Sequence, residues 1–234
     1  MDTGSSRTHP FTPPLPRHQC LVYEGSPAPH LPGLSALIRH KLDENYRCLF
    51  LHSPAMVTGM RSYLLAAGTD VTKEIVKGSL VLSSSTAHLV EGSFIVDRML
   101  AMLEEALHQA LRDGYQGLFA TGDMSREFGP ERDFSKLLEY EWRLEELLRT
   151  HPALSGICQY HADTLSPEVL RHGLLTHSSL YINETLSRVN PHYVERKSFS
   201  AMSCDIAAID KTIKGLCTVP DALSLPVLPP NYLL

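Results

Sequence analysis

The amino-acid sequence predicts an α/β fold on a mostly parallel sheet, and its patterning carries that expectation. Short apolar runs rich in β-formers alternate with longer amphipathic stretches, the signature of successive βα units. Glycines follow three of the amphipathic stretches, at Gly68, Gly78 and Gly114, where helix C-caps are expected. A third feature concerns function. The opening strand runs from Cys20 to Gly25 and enters a helix through Ser26-Pro-Ala-Pro-His-Leu-Pro-Gly33, where a phosphate-binding α/β domain would carry Gly-Lys-Ser/Thr; those residues are missing.

Taken in order, strands are expected at Cys20–Glu24, Arg47–His52, Ser79–Ser83, Gly117–Thr121, Ser155–Tyr160 and Ser179–Asn183. Between them helices are expected near Leu34–Tyr46, Pro54–Ala67, Val71–Lys77, Val96–Asp113, Phe134–Arg149 and Pro167–Leu174. The longest repeats apolar residues at Met99, Leu100, Leu103, Ala106, Leu107, Ala110 and Leu111, so one face should pack on the sheet. Residues 1–17 hold four prolines and little apolar material and read as a flexible arm. Residues 18–198 read as the α/β domain, and 199–234 as a helix around Asp205–Lys214 followed by an extended, proline-containing tail.

Composition narrows the function. With 21 basic and 26 acidic residues and a formal charge of −5, the surface has no general attraction for nucleic acid or anionic membrane. The five cysteines, Cys20, Cys48, Cys158, Cys204 and Cys217, are widely spaced and form no Cys-x-x-Cys pair, which fits a reducing compartment. There is no apolar run long enough to span a bilayer and no signal-like segment at the N-terminus, so a cytoplasmic protein is expected.

A working phosphate loop needs backbone amides around the phosphates, a lysine and a hydroxyl on the metal ion. Pro27, Pro29 and Pro32 remove three of the amides, so ATP hydrolysis is not expected and a rigid strand-to-helix connection is. Polar residues cluster at the expected carboxyl ends of the strands: Glu24 with Gly25, His52 with Ser53, Asp123 with Ser125 and Arg126, and His161 after Tyr160. Ligands of open α/β sheets sit outside those ends, which makes these residues the candidate ligand site. Asp123 has a second reading as the cap of a turn. Glu139, Glu141, Glu145 and Glu146 around Trp142 read as a solvated acidic face, and His172, His177 and His192 as incidental.

Eight segments, in order, resemble the MEDS domain, a sensory family named for methanogens, methylotrophs and the repressor of dichloromethane metabolism. They are His18-Gln-Cys20-Leu-Val-Tyr23, Arg47-Cys-Leu-Phe-Leu51, Leu64-Leu-Ala-Ala-Gly68-Thr-Asp70-Val71 and Gly92-Ser-Phe94-Ile-Val-Asp97-Arg-Met99, then Thr121-Gly122-Asp123-Met124-Ser125, Leu138-Glu-Tyr140-Glu141, Cys158-Gln-Tyr160 and Asn190-Pro-His-Tyr193. The resemblance covers about residues 18–193 and implies a three-layer sandwich related to RecA/KaiC-like ATPases. It also implies a non-enzymatic input module of a bacterial or archaeal signalling system. Such a module works with a histidine kinase, a transcription regulator or a sigma/anti-sigma factor, and with a small organic effector. A homodimer is compatible with it.

This chain departs from the family pattern at Asp123, where glutamate is commoner, and at His161, where aspartate is usual; it also carries no helix-turn-helix or kinase segment. Because RecA-like sheets place the Ser155–Tyr160 strand beside the first strand, the resemblance makes neighbours of His18, Cys20, Cys158 and His161. That set has a metal or thiol-sensing reading and a plain core-packing reading. No cofactor is expected; the alternatives are a residual nucleotide binder or weak ATPase using Asp123 and Arg126 or Arg39, and a metal-dependent or thiol-based site using His18, Cys20, Cys158 and His161.

Overall fold

The computed structural model describes residues 17–128, 134–201 and 204–218. Seven strands form one sheet: β1 (His18–Tyr23), β2 (Arg47–Leu51), β3 (Leu80–Ser83), β4 (Leu118–Asp123), β5 (Leu154–His161), β6 (Ser179–Asn183) and β7 (Leu186–Val189). Their order is β3-β2-β4-β5-β1-β6-β7, parallel except for the antiparallel edge pair β6–β7. The helices are α1 (Leu31–Asp43), α2 (Pro54–Ala66), α3 (Val71–Lys77), α4 (Val96–Arg112), the single turn α5 (Met124–Glu127), α6 (Leu137–Thr150), α7 (Pro167–Thr176) and α8 (Ile206–Cys217).

Strand alternation divides the core in two. Leu21, Tyr23, Phe50, Phe119 and Ile157 face α1, α2 and α3. Cys20, Val22, Cys158, Tyr160 and Leu180 face α4, α6, α7 and α8. The result is the expected three-layer α/β/α sandwich, with both faces of the central strands covered, as parallel sheets require. Among the described residues, no helix is long and apolar enough to cross a membrane.

Local chemistry sets the boundaries. Ser53, Asp70, Ser166 and Asp205 cap α2, α3, α7 and α8 by accepting from the amides of Met56, Lys73, Val169 and Ala208. Gly68, Gly78 and Gly114 follow α2, α3 and α4 with φ of 86°, 81° and 85°, a left-handed geometry that favours glycine. On α4, Met99, Leu100, Leu103, Leu107 and Ala110 are buried as expected, whereas Leu111 lies outside the stripe and is exposed.

Some boundaries differ from expectation. β1 starts at His18 and stops at Tyr23, so Glu24 lies beyond it, while β4 extends to Asp123. Helix α1 begins at Leu31 instead of Leu34 because a proline is tolerated in the first turn, where amides have no intrahelical acceptor. The edge strand β7 is an addition to the expected strands: its four residues are mostly exposed, with Leu186 and Val189 facing outward, so no core pattern marks it. Most of the expected N-terminal arm and the proline-containing tail lie outside the described residues.

Gly117 marks the closest backbone approach at the sheet's edge of entry. A Cβ there would stand 2.0 Å from the Ala153 carbonyl oxygen and 2.7 Å from the Tyr46 ring. Gly117→Ala is therefore expected to cost about 1–3 kcal/mol. At Gly215, in exposed helix with nothing within 4 Å of where a Cβ would stand, alanine is expected to add about 0.5–1 kcal/mol. Urea midpoints of the two variants check both signs.

Candidate functional site

The helix α6 buries Leu137, Tyr140, Glu141, Leu144 and Leu148, so Glu141 falls on the apolar stripe by helical spacing. Its carboxylate is fully buried against the sheet. There it meets His18, the first residue of β1, at 3.4 Å and His177, just past α7, at 3.6 Å. The Cys158 sulfur of β5 lies 3.7 Å from both His18 Nε2 and Glu141 Oε2. The Tyr160 hydroxyl donates to the other Glu141 oxygen. Glu145, one turn along α6, takes His18 Nδ1 at 2.8 Å, and His177 Nδ1 bonds the Gly173 carbonyl at 2.7 Å. Gly173 is what lets α7 come so near: a Cβ there would be 2.8 Å from the Tyr160 ring.

Electrostatics separate the two histidines. Burial alone lowers the His18 imidazole, but its bonds to Glu141 and Glu145 outweigh burial and lift it to about 9. Burial and the neighbouring His18 cation bring His177 down to about 4. Burial works to raise the Glu141 carboxyl, and the imidazoles of His177 and His18 with the Tyr160 hydroxyl more than offset it, leaving Glu141 below its usual range. Cys20 lies opposite Cys158 on the same face, and burial with the Glu141 charge pushes its thiol well up. Beside this cluster an apolar cavity of about 50 Å³ separates β4 and β5 from α4 and α6, lined by Met99, Leu103, Ala120, Leu144 and Gly156, with His18 and Cys158 at its wall.

A second polar group occupies the carboxyl ends of β1, β2, β4 and β5 on the opposite face. Alternation brings Tyr23, His52, Asp123 and His161 to that face together. Asp123 Oδ1 accepts from the Ser125 amide at 3.0 Å and its hydroxyl at 2.6 Å, the capping role anticipated for it. Its Oδ2 lies 3.6 Å from His52 Nδ1. That contact is not an ion pair, because His52 Nδ1 accepts from the Ser53 amide at 2.8 Å, which leaves the ring neutral with its proton on Nε2. Burial, the larger influence, lowers this imidazole and so agrees with the neutral form. His161 stacks on Tyr23 at 4.9 Å, and Tyr23 meets His30 at 5.1 Å. Among the described residues, Tyr23 Oη and His52 Nε2 are buried without a hydrogen-bond partner, whereas His161 Nε2 faces the Asp163 carboxylate at 3.3 Å.

The turn after β1 has few amides to offer. Gly25 donates to the Asp163 carboxylate at 2.8 Å, Ala28 to Ser26 at 3.2 Å, His30 to the Pro27 carbonyl at 3.1 Å, and Leu31 to the Ala28 carbonyl. The guanidinium groups of Arg126 and Arg39 donate to the Ser84 and Ala67 carbonyls.

Of the residues the sequence singled out, the structure gathers His52, Asp123, Ser125, Arg126 and His161 at the strand ends, with Gly25 joined through Asp163. Tyr23 and His30 belong there as well; the alternation of β1 marks Tyr23, but its apolar ring reads as core. Glu24 does not belong. It is exposed on the other side of the sheet, where it lines a groove with Arg171, Asp210 and Lys214, because the alternation that turns Tyr23 toward α1 turns Glu24 away. Tyr160 also faces away, into the buried cluster.

β1 does lie beside β5, with Cys20 opposite Cys158, and His18 and Cys158 are neighbours. His161 is not part of that group, since one step along β5 places it on the opposite face from Cys158 and Tyr160. Glu141 is not on a solvated face: at 100° per residue it points away from Glu139 and toward the core, with Glu145 one turn further. His177 is not incidental either, although only tertiary packing brings it in.

Fold and sites describe a three-layer α/β sandwich with polar side chains gathered at the carboxyl ends of its strands. The family model described as the methanogen/methylotroph, DcmR sensory domain (MEDS) matches residues 17–178, well over half the chain. The chain belongs to the MEDS family of sensory domains. The match takes in both polar clusters and ends before β6 and β7, which extend the sheet, and before α8, which joins α7 through the bidentate Arg171–Asp210 pair at 2.7 and 2.8 Å. No match is found among curated proteins.

Proposed function

We propose that this chain is a non-enzymatic input module that recognises a small polar organic effector at the carboxyl ends of β1, β2, β4 and β5 and passes the event to a partner protein of a signalling system. The observation that carries this reading is the pair of buried, unpartnered polar atoms on Tyr23 and His52 beside the Asp123 carboxylate and His161. Each buried group without a partner costs about 1–3 kcal/mol. An effector with both donors and acceptors would recover that cost: the His52 Nε2–H donates, Asp123 accepts, and the Tyr23 hydroxyl does either.

A nucleotide is the less supported occupant. Three residues of the turn are prolines, the amides of Gly25, Ala28, His30 and Leu31 are taken within the chain, and Arg126 and Arg39 serve carbonyls. A histidine kinase, a transcription regulator or a sigma/anti-sigma factor remains the proposed class of partner, on the sensory character of the family.

Tyr23→Phe tests the reading without knowledge of the effector. Removing an unpartnered buried hydroxyl is expected to raise ligand-free stability by about 1 kcal/mol, a trade of stability for recognition. A loss of stability of that size would mean the hydroxyl already has a partner and would contradict the reading. In a thermal-shift panel of small diols, acids and amines, a compound that stabilises the wild type should fail to stabilise His52→Ala.

A further inference from the structure

The buried cluster beneath α6 has a geometry that internal ion pairing leaves unexplained. Four potential ligand atoms, His18 Nε2, Glu141 Oε2, Cys158 Sγ and His177 Nε2, all lie within 4.8 Å of one another. Four of the six spacings among them are 3.4, 3.6, 3.7 and 3.7 Å, and the remaining two, from His177 to His18 and to Cys158, are within 4.8 Å. A tetrahedron with metal–nitrogen and metal–oxygen bonds of about 2.0–2.2 Å and a metal–sulfur bond of about 2.3 Å has edges of about 3.3–3.7 Å. Two imidazoles, a thiolate and a carboxylate form a donor set of zinc type. We infer that His18, Glu141, Cys158 and His177 form a closed, four-coordinate site for a divalent zinc-type ion.

Two independent features support a ligand at this point. His177 Nε2 is fully buried and makes no hydrogen bond, although it is aimed into the centre of the group. The outer contacts are those that orient metal ligands: Glu145 holds His18 Nδ1, the Gly173 carbonyl holds His177 Nδ1, and Tyr160 holds the second Glu141 oxygen. Both histidines therefore present Nε2 inward. Binding sends the Cys158 thiol proton, and any proton on His18 Nε2, to solvent.

The ligands come from β1, α6, β5 and the end of α7, so the ion would tie one helical layer to the sheet at its central strands. Four protein ligands leave no open coordination position, which fits a structural ion and not a catalytic one. The domain's rigidity would then depend on metal supply. This inference is independent of the strand-end effector reading, because the two clusters lie on opposite faces of the sheet and share no residue.

The test uses the full chain without a histidine tag, stripped by a chelator and titrated with Co²⁺ and with Zn²⁺ against a chromophoric competitor. The expected result is one ion per chain, the intense visible bands of tetrahedral Co²⁺, a near-ultraviolet sulfur-to-cobalt charge-transfer band, and a rise in melting temperature with Zn²⁺. Cys158→Ser should abolish the charge-transfer band. The milder Glu145→Gln, which leaves all four ligands in place, should weaken Zn²⁺ binding by about 10–100-fold. A folded wild-type chain that binds no stoichiometric Zn²⁺, or gives only the faint spectrum of six-coordinate Co²⁺, would overturn the site. So would a charge-transfer band that survives Cys158→Ser.

Discussion

Glu141→Ala is expected to destabilise the chain by about 3–5 kcal/mol, the usual loss when one partner of a buried ion pair is removed. Glu141 is 0 % exposed and faces His18, which is 2 % exposed and would be left as a buried imidazolium with only Glu145 opposite it. The Tyr160 hydroxyl would lose its acceptor as well. The contrast within one helix makes the prediction specific. Glu139 and Glu146 have side chains 53 % and 60 % exposed and pair with Arg143 and Arg149 at the surface. Exposed pairs of that kind contribute about 0–1 kcal/mol, so alanine at either position should leave the urea midpoint nearly unchanged. A Glu141→Ala midpoint indistinguishable from those controls would mean that the carboxylate is hydrated, not buried.

The second large effect is a pH dependence of the chain's stability. The folded value of His18 near 9 lies above its ordinary 6.5, so the stability it contributes is present in full below pH 6.5 and is lost as pH rises through 9; the span is worth about 3 kcal/mol. His177 acts in the opposite sense. Held down to about 4, it stays neutral in the fold while an unfolded chain takes up a proton below 6.5, so stability falls as pH drops from 6.5 to 4. Glu141 and Glu145, both below the usual carboxylate value of 4.5, lose their contribution in acid as well. The other titratable groups of this cluster are Cys158, beside His18, and Tyr160 and Cys20, which face Glu141. Urea unfolding across this range, in the presence of a chelator, should give a maximum near pH 6.5, and a flat profile from 6.5 to 9 would contradict the His18 ion pair.

Much of the architecture is legible in the sequence because it rests on local rules. Glycines with positive φ end helices, caps begin them, and alternating apolar runs mark strands that a parallel sheet buries on both faces. The misses have physical causes. The prolines before Gly33 read as loop although Pro32 sits in the first turn of α1, and β7 is too short and too exposed to carry a core pattern. In the buried cluster, the neighbours of His18 and Cys158 come from the resemblance and not from spacing. Glu141 carries a usable signal, a carboxylate in register with Leu137, Leu144 and Leu148, but proximity in sequence groups it with Glu139. His177 carries none, since it joins the group only through the packing of α7 on β5. At the strand ends, alternation separates Tyr23 and His161 from Glu24 and Tyr160, so the candidate ligand set holds residues from both faces.

The proposed function holds that the strand ends recognise a small polar effector through Tyr23, His52 and Asp123, and that the turn after β1 binds no phosphate. The most direct measurement is equilibrium titration of the chain with ATP and Mg²⁺, followed by calorimetry, beside Asp123→Asn. The expected result is no saturable binding to either protein. Stoichiometric ATP binding to the wild-type chain, whether or not Asp123→Asn abolishes it, would show that phosphate is recognised at the strand ends and would contradict the account.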